Sequence, residues 1–255
     1  MAGDGTAAAR WALMKPISIG TAGWSIPREQ AGHFPSGGSA LKRYAGRFPA
    51  TEINSSFHRP HRISTWERWR DSTPAGFRFA VKLPKAITHE RKLVDAAGPL
   101  DAFLEQAAAL GPKLTVLLVQ LPPKLAFDDA VAETFFSALA SRTQAALVCE
   151  PRHPSWFTSQ ADGLLVRHKV ARVAADPAIC EGAGHPGGWR ETSYWRLHGS
   201  PIRYRSSYAD RIAHYARALN EEAAAGRDVW CIFDNTASSA AAGDALALMK
   251  ALAAG

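Results

Sequence analysis

Cysteine and methionine are scarce, with three of each in 255 residues, and no apolar run approaches the roughly 20 residues a membrane-spanning helix needs. Cys149, Cys180 and Cys231 are odd in number and far apart, and two of them fall inside apolar runs. That argues against a disulfide framework and a Cys-x-x-Cys metal site, and suits free thiols in a reducing cytoplasm. His-x-x-x-His spacing is missing as well. So is a dinucleotide fingerprint, because Gly20-Thr21-Ala22-Gly23 lacks the third glycine and the later acidic partner. The opening stretch Met1 to Arg10 is small and polar, without the apolar core of a signal peptide. Residues 1–15 are expected to form a loose tail and residues 16–255 a single domain, cytoplasmic and without membrane contact.

What is present is ordinary for a globular chain: 47% apolar and 21% charged residues. A formal charge of +7 favours anionic partners, although a solvated basic surface accounts for the same number.

Apolar runs and helical periodicities alternate along the chain. Strands are expected at Ile17 to Trp24, Thr51 to Asn54, Phe77 to Lys82, Leu114 to Leu121, Ala145 to Cys149, Val170 to Ala175, Tyr194 to His198 and Val229 to Phe233. Helices are expected around Leu41 to Phe48 and Ile63 to Pro74. Others are expected at Leu100 to Leu110, Asp128 to Leu139, Gln160 to His168, Tyr208 to Ala225 and Ala240 to Ala253. The segment Ile179 to Arg190 has loop composition, so the helix between strands six and seven is irregular or missing. Strict βα alternation over this length predicts an α/β fold of the TIM-barrel, (β/α)8 type, with a doubly wound open sheet as the alternative.

Thr51-Glu52-Ile53-Asn54 carries the strongest chemical hint. In an extended chain Glu52 and Asn54 share one face, and downstream Arg196 and His198 do the same. Polar residues close nearly every other expected strand too: Thr21, Lys82, Gln120, Glu150 with Arg152 and His153, Asp176, and Asp234 with Asn235. In (β/α)8 proteins the chemistry sits at those strand ends. Any one of these residues is equally well a strand-end or ion-pair group; the set is what points to a site. Glu52, Glu150 and His198 are the candidate catalytic groups, able to move protons. Lys82 and Arg196 suit an anion, and Asn54, Gln120, Arg152, Asn235 and Trp24 complete the candidate substrate-binding set.

Glu150, His153, Asp176 and His198 offer N and O donors to a divalent metal, but no compact spacing supports one, and no residue is assigned as a metal ligand. His58-Arg59-Pro60-His61-Arg62 and Arg203-Tyr204-Arg205 interleave bases with rings, which suits nucleic-acid phosphates or simply a solvated basic loop.

Six motifs together carry a family resemblance. Ile19-Gly20-Thr21-Ala22-Gly23-Trp24, Thr51 to Phe57, Phe79-Ala80-Val81-Lys82 with Ile87-Thr88-His89, Gln120-Leu121-Pro122-Pro123, Glu150 to Trp156 and Arg196-Leu197-His198-Gly199 resemble the YecE-like family, domain of unknown function seventy-two. The resemblance runs from about Ile17 to the last helix and implies a TIM-barrel fold, without implying an activity. His58 stands where relatives often carry Tyr, and Phe233-Asp234-Asn235 where Phe-Asn-Asn is commoner. The functional expectation is an enzyme acting on a small anionic, phosphate-bearing or nucleotide-like substrate, with phosphoester hydrolysis foremost. The alternatives are a metal-assisted sugar isomerase or lyase and a nucleic-acid- or protein-binding module.

Overall fold

Leu114–Gln120 is a strand whose two faces are both apolar. Val116 and Leu118 enter one buried cluster while Leu117 and Val119 enter another, which is why the run is almost unbroken in sequence. The computed structural model describes residues 16–254, so the expected N-terminal tail lies outside the described residues. In chain order the elements are β1 (Ser18–Thr21), α1 (Ala40–Ala45), β2 (Ala50–Ile53), a single-turn α2 (Ser55–His58), α3 (Ile63–Asp71), β3 (Arg78–Lys82), α4 (Ala97–Ala107) and β4 (Leu114–Gln120). They continue with α5 (Asp129–Ala140), β5 (Ala146–Glu150), α6 (Ser159–Arg167), β6 (Val170–Arg172), β7 (Ala174–Asp176), a two-residue β8 (Gly187–Gly188), β9 (Thr192–Leu197), α7 (Ile212–Ala224), β10 (Asp228–Phe233) and α8 (Ala240–Ala253). The caps follow local chemistry: Ser39, Asp128 and Thr158 each accept an N–H from the first turn of α1, α5 and α6.

The fold is α/β with parallel-rich sheets, and the expectation of one closed eight-stranded barrel needs correction. The ladder divides into a sheet ordered β1-β10-β9-β7 and a sheet ordered β2-β3-β4-β5-β6-β8, parallel except for the β6–β8 pair. Two local features break the ring. The expected sixth strand is split at Val173, so that β6 pairs with β5 and β7 with β9. Between β1 and β2 there is a single bridge, Ala22 to Glu52, because the Tyr44 hydroxyl occupies the seam. It accepts the Thr21 N–H at 2.8 Å and donates to the Ala50 carbonyl at 3.2 Å, taking up groups a ladder would have paired. Burial pushes the Tyr44 phenol up to about 12, which keeps it a donor. The strands crowd here, and a Cβ on Gly20 would lie 2.1 Å from the Ala50 oxygen.

Tyr44→Phe strips both buried backbone groups of their partner. It should lower stability by roughly 2 kcal/mol, read as a fall in urea midpoint. A variant within experimental error of wild type would mean that the hydroxyl does not hold the seam.

The two sheets face one another across the smaller cluster, which takes Ala50, Ala80, Val116, Leu118 and Val148 from one sheet and Tyr194, Trp230 and Ile232 from the other. Arg78 of β3 reaches Asp228 of β10 across its lower end at 2.6 Å, and its guanidinium lies over the Trp230 ring. Helices cover the outer faces, where Tyr44, Trp66, Leu100, Phe136 and Leu164 belong to the larger cluster. Cys149 and Cys231 are free and buried, and burial pushes both thiols up.

Candidate active site

Six of the strands that contribute to the smaller cluster carry a polar residue two positions further on, on the same face by period-two geometry, whereas Ala171 of β6 is followed by Val173. Thus Ala50 is followed by Glu52, Ala80 by Lys82, Leu118 by Gln120, Val148 by Glu150, Tyr194 by Arg196 then His198, and Ile232 by Asp234. Charged groups from both sheets therefore converge just beyond an apolar layer, at the C-terminal ends of the strands.

Arg196 is the hub, with no exposed surface. Its Nε donates to Glu52 Oε2 at 3.0 Å and its Nη2 to Glu52 Oε1 at 2.7 Å, a bidentate fork. Nη1 donates to Glu150 Oε2 at 2.5 Å, and Nη2 also reaches Asp234 Oδ2 at 3.0 Å. The Tyr194 hydroxyl donates to Glu52 Oε2 at 2.9 Å. Glu150 accepts in addition from Gln120 Nε2 at 3.0 Å and Arg152 Nε at 3.0 Å. His198 bridges two acids, with Nδ1 2.9 Å from Asp234 Oδ2 and Nε2 2.9 Å from Glu150 Oε1.

These contacts fix the charge states. Burial works to raise the Glu150 carboxyl, but Arg196, His198 and Arg152 outweigh it and hold the group well below the usual carboxylate range. Asp234 is likewise lowered, by Arg196 and His198 against burial. Arg196 is raised by its three carboxylates although burial opposes it, and Tyr194 is raised by burial and Glu52. Lys82 differs. It is 8% exposed, its Nζ sits 3.9 Å from the Phe57 ring centroid, and no carboxylate is in ion-pair contact with it among the described residues. Burial first, then the Arg196 charge, bring its ammonium down to about 8.

Glu52, Gln120, Glu150, Arg152, Arg196 and His198 are thus joined in one network, with Lys82 beside it. Three other candidates lie elsewhere. Asn235 Nδ2 donates to the Ser206 carbonyl at 3.0 Å and to Asp244 at 2.6 Å. Trp24 packs edge-on against Trp69 at 5.2 Å, and Asn54 opens the short helix α2 with its Oδ1 buried and unpartnered. The four residues weighed as metal donors do not converge, since His153 bonds Ser155 and Asp176 is held by Arg211 and Tyr215. Among the described residues no group of His, Cys, Asp or Glu is arranged to hold a metal ion.

Asp234 and Tyr194 belong to the network although residue type alone does not assign them to the site. Period two from Trp230 and Ile232 marks Asp234 as inward and Asn235 as not, and Tyr194 shares the face of Arg196. Tyr204 carries no such signal. It comes from the loop after β9, lies edge-on to His198 at 5.8 Å and has its hydroxyl 3.4 Å from Arg152 Nη1. His58, Arg59, Arg62 and Arg205 of the basic loops are exposed. No helix among the described residues is long and apolar enough to cross a membrane.

Fold and site together define an α/β protein whose parallel strands deliver a buried Arg–carboxylate–His network to their C-terminal ends. The chain belongs to the family described as protein of unknown function DUF72, whose model matches residues 18–255. Among curated proteins it is similar to the UPF0759 protein YunF of Bacillus subtilis, 24% identical over 92% of this chain and 94% of that one. It is also similar to the UPF0759 protein YecE of Escherichia coli, 28% identical over 55% of this chain, a match that spans about half (50%) of that relative's length. Solved structures of DUF72 proteins share the fold. One from Enterococcus faecalis superposes with a TM-score of 0.80 at 20% identity, over 93% of this chain and 96% of that one. One from Thermotoga maritima gives 0.75 at 21% identity, over 93% and 100%.

Proposed function

We propose that the chain is an enzyme that hydrolyses esters of phosphate at the C-terminal ends of its strands, the two sheets together serving as the walls of a (β/α)8-type barrel. The observation that carries this reading is a His198 held between Glu150 and Asp234, with Arg152 Nη2 3.4 Å from its Nε2 and with Lys82 near enough to the same carboxylates for their charges to act on it. In the proposal Lys82 and Arg152 hold the phosphoryl oxygens, a point charge and a planar fork suited to that group. Glu52 and Arg196 act by position: the Glu52 carboxylate orients the Arg196 guanidinium, which in turn holds Glu150 and Asp234. Water attacks phosphorus as the ester P–O bond breaks. His198 passes a proton to the leaving oxygen, and the carboxylates take the proton released by water.

The test is turnover of p-nitrophenyl phosphate and bis(p-nitrophenyl) phosphate, with and without added divalent cations. Arg152→Ala is expected to raise KM, and His198→Gln to lower kcat by about a hundredfold or more. Circular dichroism checks that each variant is folded. Wild-type turnover unchanged in His198→Gln would remove the mechanism. The exposed Arg59, Arg62 and Arg205 favour a second reading, a polyanion-binding protein. Steeply salt-dependent DNA or RNA binding with no turnover of either ester would select it.

A further inference from the structure

Lys82 ends β3 two residues beyond Ala80 of the enclosed apolar cluster, opposite Leu118 of β4. The Ser56 hydroxyl donates to its backbone oxygen at 2.7 Å, so the strand end that carries it is pinned. Arg152 and Arg196 each grip a carboxylate, whereas the Lys82 amine lies against the face of Phe57 and makes no ion pair among the described residues. A buried cation with no carboxylate in ion-pair contact among the described residues is pressed to give up its proton; burial and the Arg196 charge outweigh the more distant Glu52, Glu150 and Asp234 and bring Lys82 down to about 8. The neutral amine that results is a nucleophile, and the carboxylates of Glu52, Glu150 and Asp234 are near enough to act on its charge.

We propose that Lys82 is a covalent nucleophile for carbonyl compounds, condensing with a small aldehyde or ketose to form a protein-bound imine. The balance is closed. The amine lone pair forms the C–N bond while the carbonyl π pair moves to oxygen. One proton from nitrogen and one from a neighbouring acid reach that oxygen, which leaves as water when the C=N bond forms. No oxidant or further reactant is consumed. This chemistry uses Lys82 as a neutral amine where ester hydrolysis uses it as a cation, and it is read by covalent labelling, so either activity can fail without the other.

The experiment exposes the full chain to glycolaldehyde, and separately to the smaller formaldehyde, with sodium cyanoborohydride near neutral pH. The reductant fixes any imine as a secondary amine, and peptide mass spectrometry locates it. Lys85 is the internal control, half-exposed and paired with Glu90 at 3.1 Å. Lys82 should be labelled about tenfold faster than Lys85 or more, since each pKa unit lowered multiplies the free amine about tenfold. Lys82→Arg should lose only the fast label while Lys85 continues to react. If neither aldehyde labels Lys82 faster than Lys85 in folded protein, the proposal is overturned. It falls equally if the fast label maps to another lysine.

Discussion

Arg196→Met is expected to cost the protein roughly 3–5 kcal/mol of stability near neutral pH, enough to leave much of it unfolded. The side chain itself packs well enough in that volume; the damage comes from what stays behind. Glu52, Glu150 and Asp234 all hydrogen-bond to Arg196, and without it the three largely buried carboxylates are left with one another's charge uncompensated. The pH dependence separates this from a simple packing loss. In the wild type Glu150 and Asp234 are held below their ordinary values. Their contribution is therefore present above the unfolded carboxylate range, near pH 4, and is lost as pH falls through their lower folded values. Without the guanidinium, burial and mutual repulsion raise the carboxyls. The variant should then be most stable in mild acid and weaken toward pH 8, the reverse of the wild type. Urea denaturation between pH 5 and 8 reads both curves. A variant within about 1 kcal/mol of wild type at pH 7 would show that Arg196 is not the hub its contacts describe.

Lys82→Met should do the opposite and stabilise the fold by about 1–3 kcal/mol at pH 7. The ammonium lies at about 8 in the folded chain against 10.5 for an ordinary lysine. The difference, 10.5 − 8, corresponds to about 3 kcal/mol of destabilisation of the charged form, part of which methionine forfeits with the cation–π contact. Because the folded value is depressed, the unfolded chain binds the extra proton. The penalty is complete below about pH 8 and disappears as pH rises toward 10.5. Wild type should thus gain stability across that window while the methionine variant gains nothing from this position, and the two curves should approach each other. Thermal denaturation of the pair at pH 7 and pH 10 is sufficient. A methionine variant less stable than wild type at pH 7 would show that Lys82 is comfortably solvated or paired. A residue retained against its own stability cost is one kept for another purpose, which links this prediction to the roles proposed for Lys82.

Much of the framework is legible in the sequence because short strands obey a rigid rule. Once a stretch such as Thr51–Glu52–Ile53 is recognised as extended, period two decides which side chains share a face. Glu52, Lys82, Glu150, Arg196 and His198 are then grouped by alternation alone. Asn235 stands out in place of Asp234 when the end of β10 is judged by residue type and the alternation is not carried past Ile232. Sequence patterns hold little trace of what divides the sheet. The break at Val173 is marked by no glycine or proline, the run from Val170 to Ala175 being apolar except for Arg172, and the Tyr44 wedge depends on a helix residue meeting two strands that are distant in the pattern. Tyr204 is beyond reach because its place beside His198 is set by the path of a loop, which no periodicity encodes.

The Tyr44 seam also bears on the order in which the chain acquires its shape. From β2 to β6 every parallel pairing joins consecutive strands, so that sheet grows by short steps along the sequence. The ladder of β1 instead lies on β10, at the opposite end of the chain, and its meeting with β2 depends on a side-chain hydroxyl. Closing so long a loop is entropically slow, and few backbone bonds at the seam reward an early visit. In a hydrogen-exchange pulse during refolding, the amides of β3 to β5 should gain protection first and those of β1 last. The N-terminal strand is therefore the latch of this fold, fastened after the rest of the sheet is in place.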